Sequence, residues 1–325
     1  MSTNLKKILI ADRFAVEALI ELKKNKTFEV EVYADEKLAD ANALIIRSKF
    51  KIDANRLNLA KNLEVIVTCT SGFDHIDLVE TEKRGIKVMY TPEANITSAA
   101  EHTWALILAC ARQIVGANKE LKCGNWSRDP FVAFELENKI LGVVGLGRIG
   151  QRVSRIAQAF GMQVIAFDPY QEESVFSKLN VRRQSYDEVL KQADILTFHV
   201  PATSETKNMF NRTHLESIDE ELIVINTSRG SVINEDDLAQ ALLEKKIRMA
   251  ALDVFHREPL GKESKLLKCA NAILTPHLGA YTEEAFLKAS LQAVQLVENY
   301  FTKTILVNEL PLKNEWGSLS FKERT

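Results

Sequence analysis

From the first residues onward, short apolar runs alternate with helix-length amphipathic segments. Lys7–Ala11, Phe28–Val32, Ala43–Arg47, Val65–Val67 and Ile86–Met89 read as buried strands, too short for helices. The segment Tyr90–Thr97, YTPEANIT, is polar and contains a proline, and a long helical pattern runs from Ser98 through AAEHTWALILACARQI. A domain boundary is expected there. Ser98 and Glu101 have the S-x-x-E spacing of a capping box, which assigns Glu101 a structural role at the helix N-terminus. A second series follows, with strands expected at Ile140–Val144, Gln163–Phe167, Ile195–His199, Leu222–Asn226, Met249–Val254 and Ala272–Thr275. Alternating βα units predict an α/β fold of two doubly wound parallel sheets. After Pro276 a last helical pattern, Thr282–Phe301, is expected to cross back to the first domain. The expected division is therefore 1–97 with 286–325, interrupted by 98–285.

Composition narrows the function classes. Forty-two basic and 44 acidic side chains leave a net charge of -2, so neither a nucleic-acid nor a membrane partner is expected. Cys69, Cys110, Cys123 and Cys269 are scattered without a CxxC or Cys/His cluster, which argues against a metal site and a disulfide framework. Free, mostly buried thiols are expected. The N-terminus turns polar within a few residues, and no apolar run approaches the roughly 18 residues that span a bilayer. A cytoplasmic protein is expected.

The strongest local signal is ILGVVGLGRIG at 140–150, where a buried strand runs into Gly145-x-Gly147-x-x-Gly150. With 13 glycines in 325 residues, this pattern arises by chance about 0.02 times per chain. Ile149, Val153, Ile156, Ala157 and Phe160 then follow one helical face, Gly161 can end the helix, and the next strand, QVIAF, delivers Asp168. Together these form a complete βαβ fingerprint for a dinucleotide. Glycines let the backbone approach a pyrophosphate, whose charge meets the free amides of a helix N-terminus. A carboxylate at Asp168 suits the ribose hydroxyls and repels a 2′-phosphate, and no arginine follows in DPYQEES, so NAD is favoured over NADP.

Three more polar residues stand just beyond strand ends: Arg229 after LIVINTS, Glu258 after MAALDVFHR, and His277 after AILTP. Ligands of open α/β sheets bind at that edge, so all three can converge there. With TSGFDHIDL at 70–78, GLGRIG at 145–150, INTSRG at 225–230, ALDVFHREPL at 251–260 and TPHLGAYTEEA at 275–285, nearly the whole chain resembles the D-isomer-specific 2-hydroxyacid dehydrogenase family. The resemblance implies a Rossmann NAD-binding domain inserted in a discontinuous flavodoxin-like substrate domain, and it gives catalysis to Arg229, Glu258 and His277. It also puts Asp253 at the nicotinamide, Arg148 and Ile149 at the pyrophosphate, and Val200, Thr227 and Gly279 beside the cofactor. The chemistry agrees: a histidine suits removal of a hydroxyl proton near neutral pH, and an arginine fork suits a carboxylate. Ser71 and Gly72 are expected to offer backbone amides to the substrate carboxylate. His75, His102, His199, His214 and His256 are expected to be structural or exposed.

Within the family, NITSAAEHTWALILACARQI, GNW at 124–126 and PHLGAYTEEA look most like the branch that oxidises D-3-phosphoglycerate and opens serine biosynthesis. Arg47 and Arg128 match positions where that branch carries cations near the phosphate. Just before the SG loop, where the branch usually has an arginine, this chain has Thr68. Reduction of hydroxypyruvate or glyoxylate is the alternative, and an NAD-sensing binding protein is the alternative of another class. The resemblance also implies a homodimer that pairs near Trp104–Arg128. No C-terminal regulatory domain, and so no serine inhibition through one, is expected.

Overall fold

A computed structural model of the chain describes residues 5–216, 218–303 and 307–310. The first sheet contains β1 (Lys6–Ile10), β2 (Phe28–Val32), β3 (Ala43–Ile46), β4 (Val65–Thr68) and β5 (Lys87–Tyr90). These are parallel and ordered β2-β1-β3-β4-β5, the flavodoxin-like arrangement. The second sheet contains β6 (Ile140–Val144), β7 (Gln163–Phe167), β8 (Arg182–Arg183), β9 (Ile195–Phe198), β10 (Ile223–Asn226), β11 (Met249–Leu252) and β12 (Ala272–Leu274). Its order, β8-β7-β6-β9-β10-β11-β12, is the dinucleotide-binding one, and every pairing is parallel. A short β13 (Glu309–Leu310) adds to the first sheet, antiparallel to β5.

Both sheets bury both faces, which explains why their strands read as unbroken apolar runs. In β10, Ile223 and Ile225 enter one core cluster while Val224 enters the cluster on the opposite face. In β1, Ile8 and Ile10 face the helix Glu283–Glu298 and Leu9 the other side. That helix is capped by Thr282, whose hydroxyl accepts the Ala285 N–H at 3.2 Å. Two units emerge among the described residues, one drawn from 5–96, 280–303 and 307–310, the other from 97–279. The chain leaves the second unit at Gly279, earlier than the expected 285, because a tight turn at 277–279 already ends the last strand connection. The return of the tail at 311–325 lies outside the described residues.

One local expectation is corrected. The helix begins at Ile96 and runs to Ala111, so Ser98 is a buried first-turn residue and cannot cap it. The β-branched pair Ile96–Thr97 disguises the true start, because it reads as the end of the preceding linker. Among the described residues no helix is long and apolar enough to cross a membrane. All four cysteines are free, and Cys69, Cys110 and Cys269 are buried.

Candidate active site

Strand β6 ends at Val144, Gly145 follows it, and the helix Arg148–Ala159 starts three residues beyond Gly145 with Gly147 as its N-cap. No side chain caps this helix, which leaves the amides of its first turn to be met by another acceptor. Close approach makes two of the glycines irreplaceable. A β-carbon on Gly150 would lie 2.1 Å from the Gly145 carbonyl oxygen, and Gly145 itself has φ 95° with Val200 against it. At Gly147 nothing lies within 4 Å of such an atom, which leaves room for an incoming group. Asp168 closes the loop from β7: its carboxylate accepts the Leu146 N–H at 2.8 Å and the Tyr170 N–H at 2.9 Å. The residue is 2% exposed, and burial pushes its pKa above the ordinary value although the Tyr170, Leu146 and Gln171 amides pull it down. An uncapped helix start, an open Gly147 and a fixed carboxylate one strand away fit a dinucleotide.

On the other side of β6, the ends of β10, β11 and β12 bring the three expected catalytic residues together. Gly230 makes this possible, because a β-carbon there would sit 1.9 Å from the Phe255 carbonyl carbon. The turn after β10 therefore rests directly on the turn after β11. Asn226 shapes the first turn: its amide donates to the Arg229 carbonyl at 2.9 Å, and its side-chain oxygen accepts from the Ser228 N–H at 3.0 Å and hydroxyl at 2.8 Å. Glu258 Oε1 accepts the Phe255 N–H at 3.1 Å, and Oε2 lies 2.7 Å from His277 Nδ1. Burial acts to raise the Glu258 pKa. The His277 hydrogen bond and charge, the Phe255 amide and the Arg229 guanidinium outweigh it and hold the carboxyl below its ordinary value.

His277 is held in this position by its backbone, at φ 55°, the left-handed region that residues other than glycine seldom adopt. Asp253 enforces the turn. The Asp253 carbonyl accepts the His277 N–H at 2.9 Å, and its fully buried carboxylate accepts from Leu278 and Gly279 N–H and the Thr275 hydroxyl at 2.8, 2.8 and 2.6 Å. His102 Nε2 lies 3.1 Å from the same carboxylate and 3.2 Å from Thr275 Oγ1. Burial alone would raise the Asp253 pKa, but His102, Thr275, Leu278 and Gly279 bring it below the ordinary value. His102, expected to be structural or exposed, is thus a partner of the carboxylate that shapes the His277 turn. Nothing in its local spacing signals this, because it comes from a helix more than 170 residues away in the chain.

Thr227 Oγ1 pairs with Thr103 Oγ1 at 2.8 Å. Arg148 is exposed at the first helical turn, with Ile149 half-buried beside it. Arg128 stands exposed before a short turn at Asp129–Phe131 and is not brought to the His277 cluster by any hydrogen bond or ion pair among the described residues. In the first unit, Arg47 follows β3 and lies 4.9 Å from the centroid of the Phe286 ring. The Ser71 hydroxyl donates to the Pro92 carbonyl at 3.3 Å and to Asn95 Oδ1, which secures the loop that holds Gly72.

Residues 104–279 match the NAD binding domain of the D-isomer specific 2-hydroxyacid dehydrogenases. The chain is 39% identical to D-3-phosphoglycerate dehydrogenase of Methanocaldococcus jannaschii over 95% of its own length and 60% of that protein's. It is 35% identical to hydroxypyruvate reductase of Thermotoga maritima over 88% of this chain and 94% of that one. It spans between about half and three-fifths of the length of the curated phosphoglycerate dehydrogenases it matches. Its fold is similar to D-lactate dehydrogenase of Aquifex aeolicus, solved with NAD and lactic acid, at a TM-score of 0.82 and 29% identity over 91% of this chain and 96% of that one. The glycine fingerprint at the end of β6, the parallel strand order around it and these likenesses converge: the chain belongs to the D-isomer specific 2-hydroxyacid dehydrogenase family, and NAD is its cofactor.

Proposed function

We propose that this protein oxidises a D-2-hydroxy acid to the 2-keto acid, and reverses the reaction, with D-3-phosphoglycerate and 3-phosphohydroxypyruvate as the preferred pair. The observation that carries the reaction class is the 2.7 Å contact between Glu258 and His277 Nδ1, within the field of Arg229. Glu258 keeps the proton on Nδ1 and leaves Nε2 as the acceptor for the substrate hydroxyl proton. In the reductive direction the same Nε2 returns the proton to the keto oxygen, and Glu258 stabilises the imidazolium until it does. Arg229 binds the substrate carboxylate and keto oxygen through its planar fork, which a lysine lacks. Gly145, Gly147, Arg148, Ile149 and Gly150 hold the pyrophosphate, Asp168 the ribose, and Val200, Thr227, Asp253 and Gly279 line the nicotinamide end. Bound NAD supplies the two-electron acceptor. Ser71 and Gly72 meet the substrate carboxylate, and Arg47 and Arg128 meet the phosphate. In this reading the unit that holds 97–279 is the cofactor domain, the other unit is the substrate domain, and the working form is a homodimer.

The phosphorylated substrate is favoured by the named relatives and by Arg47 at the end of β3. Hydroxypyruvate is the second reading, favoured by Thr68 and by the likeness to the hydroxypyruvate reductase. NADH oxidation measured side by side with 3-phosphohydroxypyruvate, hydroxypyruvate, glyoxylate and pyruvate decides between them. The first should give the highest kcat/KM, and His277→Ala should abolish turnover while NADH still binds. A preference for hydroxypyruvate sinks the phosphoglycerate assignment, and NADH binding without turnover on any keto acid sinks the enzyme reading.

A further inference from the structure

The first sheet reverses its winding between β1 and β3. Beyond the carboxyl ends of the strands at such a reversal, the flanking connections depart to opposite faces and leave a crevice where ligands bind. Arg13 follows the end of β1 and Arg47 follows the end of β3, so one arginine stands on each side of this crevice. A single ring holds both. The Arg13 Cζ lies 5.4 Å and the Arg47 Cζ 4.9 Å from the centroid of Phe286, on the helix Glu283–Glu298. Both cations therefore lie within 5.4 Å of the centre of one ring.

Two guanidinium groups gathered on one ring suit an anion. None of the chain's own carboxylates pairs with either one among the described residues. Asp12 is turned to the main chain, where it accepts the Arg13 N–H at 2.7 Å. Arg13 Nη1 donates to the Tyr281 hydroxyl at 3.2 Å, which aims the guanidinium without neutralising it. Arg47 Nη1 is buried and has no hydrogen-bond partner among the described residues. Leaving a buried charged donor unpaired is costly, and a ligand oxygen would satisfy it.

We infer that Arg13 and Arg47 form one anion clamp, braced on Phe286, that grips the distal phosphoryl group of the substrate. Arg13 is the residue this adds to the site. The clamp rests on the proposed reaction only for the identity of the molecule that carries the phosphate. Each guanidinium offers paired donors that fit a tetrahedral oxyanion.

The test titrates inorganic phosphate into the full chain saturated with NADH and measures KM for 3-phosphohydroxypyruvate and hydroxypyruvate. Wild type is compared with Arg13→Gln, Arg13→Lys and Arg47→Gln. Arg13→Gln should weaken phosphate binding about tenfold and raise the ratio of the phosphorylated to the unphosphorylated KM by a similar factor, with Arg13→Lys between it and wild type. If Arg13→Gln leaves both quantities at the wild-type value while Arg47→Gln shifts them, the clamp is overturned and the phosphoglycerate reading stands. If wild type shows no preference for the phosphorylated keto acid yet both glutamine variants weaken phosphate binding, the clamp stands and the phosphoglycerate reading fails. Wild type that neither binds phosphate nor prefers the phosphorylated substrate overturns both.

Discussion

At the scale of single residues, the site runs on carboxylates whose surroundings decide their charge. Partial desolvation acts to raise both the exposed Glu258 and the buried Asp168, yet the first titrates below its ordinary value and the second above it. The difference is a partner: Glu258 faces the His277 and Arg229 charges, whereas Asp168 is met mainly by neutral amides. A carboxyl whose pKa is lower in the folded than in the unfolded chain stabilises the fold above the unfolded value of 4.5 and loses that contribution as pH falls through the folded one. Wild type should therefore lose thermal stability more steeply than Glu258→Gln below pH 4.5, and the gap between their melting temperatures should narrow as the solution is acidified. Parallel melting-temperature profiles would mean that Glu258 is not ionised against His277 in the fold. Asp253 plays a different part, because its four donors make it the anchor of the turn that presents His277.

At the scale of elements, the loop from β6 into the helix Arg148–Ala159 separates packing from binding. Gly150→Ala must push the loop open, since its new atom would meet the Gly145 carbonyl, and overpacking of this kind costs about 1–3 kcal/mol. Gly147→Ala meets nothing, so it should melt near wild type. Calorimetric titration of NADH should nevertheless show both variants weakened, because the Gly147 methyl occupies the space that a phosphate needs. Full NADH affinity in Gly147→Ala would rule out the pyrophosphate placement. These features were legible in the sequence for a physical reason. Strands buried on both faces leave continuous apolar runs, and a glycine loop between strand and helix leaves its spacing. What stayed hidden depends on distant partners. Arg182–Arg183 and Glu309–Leu310 are two-residue edge strands with no periodicity of their own. His102 declares its role only once Asp253 lies beside it, and Arg13 only once Phe286 draws it toward Arg47.

At the scale of the molecule, one helix has no core to join. Ile114–Lys122 contains no buried residue, and the stretch around it exposes Ile114, Val115, Leu121, Val132 and, at 83%, Trp126. An apolar display of this size supports a second copy of the chain as its cover. Sedimentation velocity should find a dimer for wild type and a shift toward monomer for Val115→Lys combined with Trp126→Ser, both with intact melting temperatures. A wild-type monomer at micromolar concentration would remove the dimer from the proposal. The turn at 277–279 has a wider reach than its size implies. Holding a histidine at φ 55° burdens the fold by roughly 1–2 kcal/mol, a burden that glycine or asparagine would carry more lightly. If His277 moves the proton as proposed, heat resistance and turnover pull residue 277 in opposite directions: His277→Gly or His277→Asn should relieve the turn while ending the chemistry.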